Sequence, residues 1–180
     1  MPYHYSNILV PLDGSQLSEA ALPYAFSLAS LAGGRITLIT AVDIRHVIEP
    51  AGHESSIIEE AVDAWRIPSG VTPYHERNTI FIDEEWERER LDVKKYLKTV
   101  SERFGVEGVE VQLAVEFGSP VETILSYARA HPADLIVMTT HGRTGLKRMV
   151  YGSVAEVLLR DSHLPILLVR APLVSQEVTP

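Results

Sequence analysis

The 180-residue chain contains no cysteine, which removes disulfides, thiol nucleophiles and Cys-type zinc sites together. No apolar run approaches the ~18 residues that a membrane span needs. The opening MPYHYSNILVPLDGS carries no basic region leading into a long apolar stretch, so no signal peptide is expected. Positive charge is scarce: 16 Lys and Arg stand against 24 Asp and Glu, for a formal net charge of −8. An acidic surface repels phosphate backbones, and nucleic-acid binding is not expected. What remains is a soluble domain whose lack of cysteine suits a reducing cytoplasm.

Catalytic signatures are missing as well. There is no GxSxG elbow, no GxxxxGK[ST] loop, no GxGxxG after a strand and no HExxH. The histidines His46, His53 and His75 match no standard metal spacing, so the metal content is left unknown.

What is present is a regular alternation. SNILVPLD (6–13), RITLITAVD (35–43), ADLIVMTT (133–140) and LPILLVR (164–170) are short apolar runs bounded by turn residues, as in strands buried on both faces. GVEVQLAVEFG (108–118) alternates like a further strand. Between them, residues 15–32 place Leu17, Ala20, Ala21, Tyr24, Ala25, Leu28 and Leu31 at helical spacing, with Gly33-Gly34 as a stop. Pro23 should kink this helix unless it falls in a first turn. Asp83 is a candidate cap for a helix with the stripe Trp86, Val93, Leu97, Val100 and Phe104, ended by Gly105. SPVETILSYARAH offers Ser119 as cap, Pro120 at the first position and Glu122 at capping-box spacing. SVAEVLLRDS supplies the last helix.

This order predicts an α/β fold: an open, twisted, five-stranded parallel sheet with helices on both faces, Rossmann-like. Residues 1–171 form a single domain and 172–180 a tail. The stretch 44–82 reads as an irregular insertion, with Ile57, Ile58, Ala61, Val62 and Trp65 on one helical face that could serve as a lid or an interface. Ligands in such sheets bind beyond the carboxyl ends of the strands. Asp13, at the end of the first strand, Ala41, at the end of the second, and TTHGRTGLKRMVYGS after the fourth should meet there. Residues 141–160 carry Arg143, Lys147, Arg148 and Arg160 against Glu156 alone. Gly142, Gly152 and Ser153 combine close backbone approach with the positive end of a helix, an arrangement suited to an anion. Turn geometry with solvated basic residues is the competing explanation. Asp13 serves either as a magnesium ligand or as a turn and capping residue.

NILVPLDGS, ITLITAVD and ADLIVMTTHGRTGLKRMVYGSVAEVLLRDSHLPILLV resemble the universal stress protein family over nearly the whole chain. The nucleotide-binding branch has a glycine, two residues, a glycine, nine residues, then glycine with serine or threonine. Gly142, the residues Arg143 to Tyr151 and Gly152-Ser153 match it, whereas Thr139 stands where the first glycine belongs. The resemblance implies strand order 3-2-1-4-5 and a site for ATP or a related adenine nucleotide, with magnesium. Pro11 and Asp13 would lie near the ribose and base, and the Ala41 backbone at the adenine edge. Met138 and Thr139 would wall the pocket, and Gly142, Gly152, Ser153 and Val154 would hold phosphates with help from Arg143. It also implies a homodimer through Pro165–Arg170 and a regulatory output to an unidentified protein partner. Two alternatives stand beside it: a nucleotide-free dimeric scaffold in which Thr139 closes the pocket, and a weak ATPase or autophosphorylating enzyme using Asp13.

Overall fold

The structure is a computed structural model that describes residues 4–43, 76–140 and 152–170, with backbone alone over 76–85. Strand β1 (Asn7–Pro11) is apolar at successive positions and is buried there on both faces. It is followed by α1 (Gln16–Glu19), α2 (Leu22–Ala32), β2 (Arg35–Val42), α3 (Glu76–Phe104) and β3 (Glu110–Phe117). Helix α4 (Pro120–Ala130), β4 (Leu135–Thr139), α5 (Ser153–Asp161) and β5 (Ile166–Val169) complete the chain. The strands form one sheet in the order β3-β2-β1-β4-β5, all parallel, as expected.

Successive strand residues point to opposite faces, and the core divides accordingly. Ile8 and Val10, Ile36 and Leu38, and Leu135 and Val137 pack with Leu22, Ala25, Phe26 and Ala29 of α2 and with Leu97 and Val100 of α3. On the other face Leu9, Ile39, Ala114, Ile136 and Met138 meet Ile124 of α4 and Ala155 and Leu158 of α5. Each fully buried aliphatic or aromatic side chain contributes about 1.5–3 kcal/mol, so these two layers hold the sheet. At its amino edge the Asp134 carboxylate accepts the N–H groups of Ser6 (2.8 Å) and Asn7 (3.1 Å), tying β1 to the turn before β4.

Three local expectations change. The helix expected over 15–32 is broken: α1 ends at Glu19, and α2 restarts with Pro23 in its first turn, where a missing N–H costs nothing. The break resets the buried face to Leu22, Ala25, Phe26 and Ala29 and leaves Tyr24 and Leu31 exposed, the latter at 84%. The stop is as read, with Gly33 at φ 63 and the Gly34 N–H donating to the Ala29 carbonyl at 2.9 Å. Helix α3 begins at Glu76, so Asp83 lies inside it rather than at its start, and residues 76–82 of the expected insertion are helical. Ser119 does precede α4, but its side chain makes no capping hydrogen bond; its carbonyl accepts the Thr123 N–H at 2.9 Å instead. The Ile57–Trp65 stripe lies outside the described residues.

Candidate functional site

The parallel strands bring their carboxyl ends to one edge, and the winding direction reverses between β1 and β4, which pair directly. The Leu12 N–H donates to the Ile39 carbonyl at 2.8 Å, extending the β1–β2 ladder and setting Asp13 just beyond it. Asp13 Oδ1 accepts the Ser15 N–H at 3.0 Å and the Ser15 hydroxyl at 2.6 Å. The intervening Gly14 takes φ 81, a value open to glycine at little cost. Ser15 Oγ in turn accepts the Ser18 N–H at 3.1 Å and caps α1, while the Ser18 hydroxyl donates to the Ser15 carbonyl at 2.8 Å. Asp13 is therefore the organiser of the β1–α1 turn, the structural role left open by the sequence, and it performs that role at the switch point.

Ala41 is half-buried near the end of β2, and the Val42 carbonyl beside it accepts the Gly118 N–H at 2.9 Å. Pro11 ends β1 opposite Ile39. On β4, Met138 is buried with the α4 and α5 cluster, and Thr139 is buried opposite Val169. The Thr140 N–H donates to the Val169 carbonyl at 3.0 Å, and the Thr140 carbonyl accepts the Gly152 N–H at 2.6 Å. That last bond draws the start of α5 against the end of β4. Gly142 and Arg143, with His141, Lys147 and Arg148, lie outside the described residues.

Gly152 is the N-cap of α5 in an extended conformation (φ −69, ψ 154), and among the described residues no side chain caps the helix. Its carbonyl accepts the Glu156 N–H at 2.9 Å, which leaves the Ser153, Val154 and Ala155 amides without intrahelical acceptors. Together with the helix dipole these amides can receive an anion, and exposed Ser153 adds a hydroxyl. This is the observation by which the residues present fit a phosphate. Glu156, exposed in the same turn, is a negative charge that such an anion must accommodate. Arg160 sits in the last turn of α5 and pairs with Asp161 at 2.8 Å. Among the described residues, no group of three or more His, Asp or Glu is clustered to hold a metal, and no helix is long and apolar enough to cross a membrane.

Sequence reasoning passed over three polar residues of this edge. Ser15 was legible in principle, since an Asp followed two residues later by Ser signals an Asx turn. Thr140 and Thr40 are each 8% exposed, and Thr40 Oγ1 is buried with no hydrogen-bond partner among the described residues. Neither carries a local signal, because threonine is common in buried strands.

A model of the universal stress protein family matches residues 4–64 and 70–170. Universal stress protein MJ0531 of Methanocaldococcus jannaschii is 29% identical over 168 residues, covering 93% of this chain and 84% of that protein. Among solved structures, hypothetical protein MJ0577 shares the fold at a TM-score of 0.71 with 24% identity, covering 94% of this chain and 99% of that one. A universal stress protein in complex with cAMP does so at 0.56 with 17% identity, covering 93% and 98%. With the family pattern running from β1 to β5 and the strand order that goes with it, the chain belongs to the universal stress protein family.

Proposed function

We propose that this chain binds ATP or a related adenine nucleotide at the carboxyl edge of the sheet and acts as a regulatory, rather than catalytic, protein. The carrying observation is the start of α5: a helix N-terminus opening on Gly152-Ser153 with no side-chain cap among the described residues, drawn against the end of β4 beside the switch point. A relative of the same fold in complex with cAMP supports an adenine nucleotide as the ligand class. In this reading Gly152, Ser153 and Val154 hold phosphates together with Gly142 and Arg143. Pro11, Asp13 and Ala41 border the ribose and base, and Met138 and Thr139 close the floor. Magnesium would arrive with the phosphates, which suits an ion that keeps much of its own water.

Calorimetric titration of Mg-ATP tests this proposal. Binding that Gly152→Val loses, with melting temperature retained, supports the reading. Absence of binding in the unaltered protein, with a gain in Thr139→Gly, overturns it in favour of a nucleotide-free scaffold.

The same reading includes a homodimer through Pro165–Arg170. β5 lies at the sheet edge with β4 its neighbour. The carbonyls of Pro165 and Val169 accept from Ile136 and Thr140. Parallel pairing uses alternate residues, so the backbone groups of Ile166 and Leu168 face the open edge, which invites a further strand.

A further inference from the structure

A polar cluster on the α2–α3 side of the Asp13 turn remains outside the nucleotide reading, and Glu19 is its centre. This last residue of α1 has a side chain only 12% exposed. Its Oε1 accepts the Tyr96 hydroxyl at 3.1 Å, and its Oε2 pairs with Arg103 Nη2. Tyr96 and Arg103 are seven residues apart on α3, two turns along one face, so a single carboxylate spans both turns. The Arg103 guanidinium is itself steadied over the Phe104 ring, 4.8 Å from its centroid. Burial, then the negative charge of Glu19 and its hydrogen bond, with a smaller effect of Asp13, hold the Tyr96 phenol well above its ordinary value. It therefore stays a hydrogen-bond donor throughout the physiological range.

Helix α1 has four residues, too few to be stable alone, because one helical turn fixes more dihedrals than its hydrogen bonds offset. It is held at both ends. At the N-terminus Ser15 caps it and is itself gripped by Asp13 Oδ1; at the C-terminus Glu19 is gripped by α3. We infer that Tyr96 and Arg103 are positioning residues for Asp13: by pinning Glu19 they fix α1, its Ser15 cap and hence the carboxylate at the switch point. Occupancy of the site and docking of α3 are then coupled. Because such coupling is reciprocal, a ligand beside Asp13 tightens α3 on the sheet. This inference rests on the nucleotide reading for its ligand but not for its geometry.

The test has a ligand-free arm and a ligand arm. In the ligand-free protein, amide exchange by NMR should be about tenfold faster at Ser15 and Ser18 in Tyr96→Phe, the equivalent of one hydrogen bond of roughly 1.4 kcal/mol. Exchange at Ile8, Val10 and Ile136 in the sheet should be unchanged. Glu19→Gln keeps an acceptor for Tyr96 and loses the charge facing Arg103, and should fall between. Unchanged exchange at Ser15 and Ser18 overturns the inference whatever the nucleotide does.

In the ligand arm, Tyr96→Phe should weaken Mg-ATP about fivefold, within the usual range of coupling, and should have no effect in an Asp13→Ala background, where the acceptor for Ser15 is gone. An equal loss in both backgrounds overturns the inference, since Tyr96 would then act through general stability. If the unaltered protein binds no nucleotide, the proposed function fails and the exchange arm alone decides the positioning role.

Discussion

The middle and the carboxyl end of the same strands follow different rules. In the middle, Ile8 to Val10, Ile36, Leu38, Ile39 and Leu135 to Val137 are apolar and at most 4% exposed. One to three residues later the chain carries Thr40, Thr139 and Thr140, still at most 8% exposed, with half-buried Asp13 just beyond β1. Burial hardly changes across that boundary, but chemistry does. Buried polar groups cost stability unless partnered, and this row of them gathers at the edge where the proposed site lies.

The sharpest test of the contrast is in the middle. Ile136→Ala, at 0% exposure, should cost about 2–5 kcal/mol by denaturant unfolding, with nucleotide affinity per folded molecule unchanged. An affinity change instead would mean that core and edge are not separable. At the open side, Leu168→Pro removes an N–H facing away from β4. It should convert the proposed dimer to monomer in light scattering while melting cooperatively; an unchanged mass would overturn the proposal that β5 forms an interface.

Smaller effects belong to the edge itself. Ser15→Ala deletes the α1 cap and should cost about 1 kcal/mol, measured by chemical denaturation. Thr40→Val removes a buried hydroxyl that has no hydrogen-bond partner among the described residues and should be neutral or stabilising by up to about 1 kcal/mol. A clear loss would show that Thr40 is partnered in solution.

The smallest effect is electrostatic. The Tyr96 phenol is raised by burial first and then by Glu19, so the folded chain keeps its proton after the unfolded chain has lost it near pH 10. The resulting contribution to stability is fully present below about pH 10 and is lost as the pH rises through and beyond that value. Melting temperature should fall faster above pH 10 in the unaltered protein than in Tyr96→Phe.

Much of the fold was legible because its signals are local. Four apolar runs and one alternating stretch, separated by helical spacing, gave the parallel α/β order, and the stripe Leu97, Val100 and Phe104 was visible at helical period. The break between α1 and α2 was not: Ala20 and Ala21 are both good helix formers, and only tertiary packing chose a restart that buries Leu22 and Phe26. Asp13 was singled out, and its tie to Ser15 adds the turn contact that the sequence named only as one of two roles. The opening of a helix at Gly152-Ser153 was foreseen, whereas the pairing of Arg160 with Asp161 was not.

The sequence by itself determined the alternation of strands and helices, the Gly33 stop and the concentration of glycine and polar residues after β1 and β4. Periodicity and backbone stereochemistry operate over a few residues, so a linear string can carry them. Only the tertiary structure decided that Glu19 meets Tyr96 and Arg103, 77 and 84 residues away, and that Gly152 is drawn to Thr140. Those contacts depend on the order in which parallel strands close the sheet, and no local pattern encodes a pairing that the crossovers alone bring about.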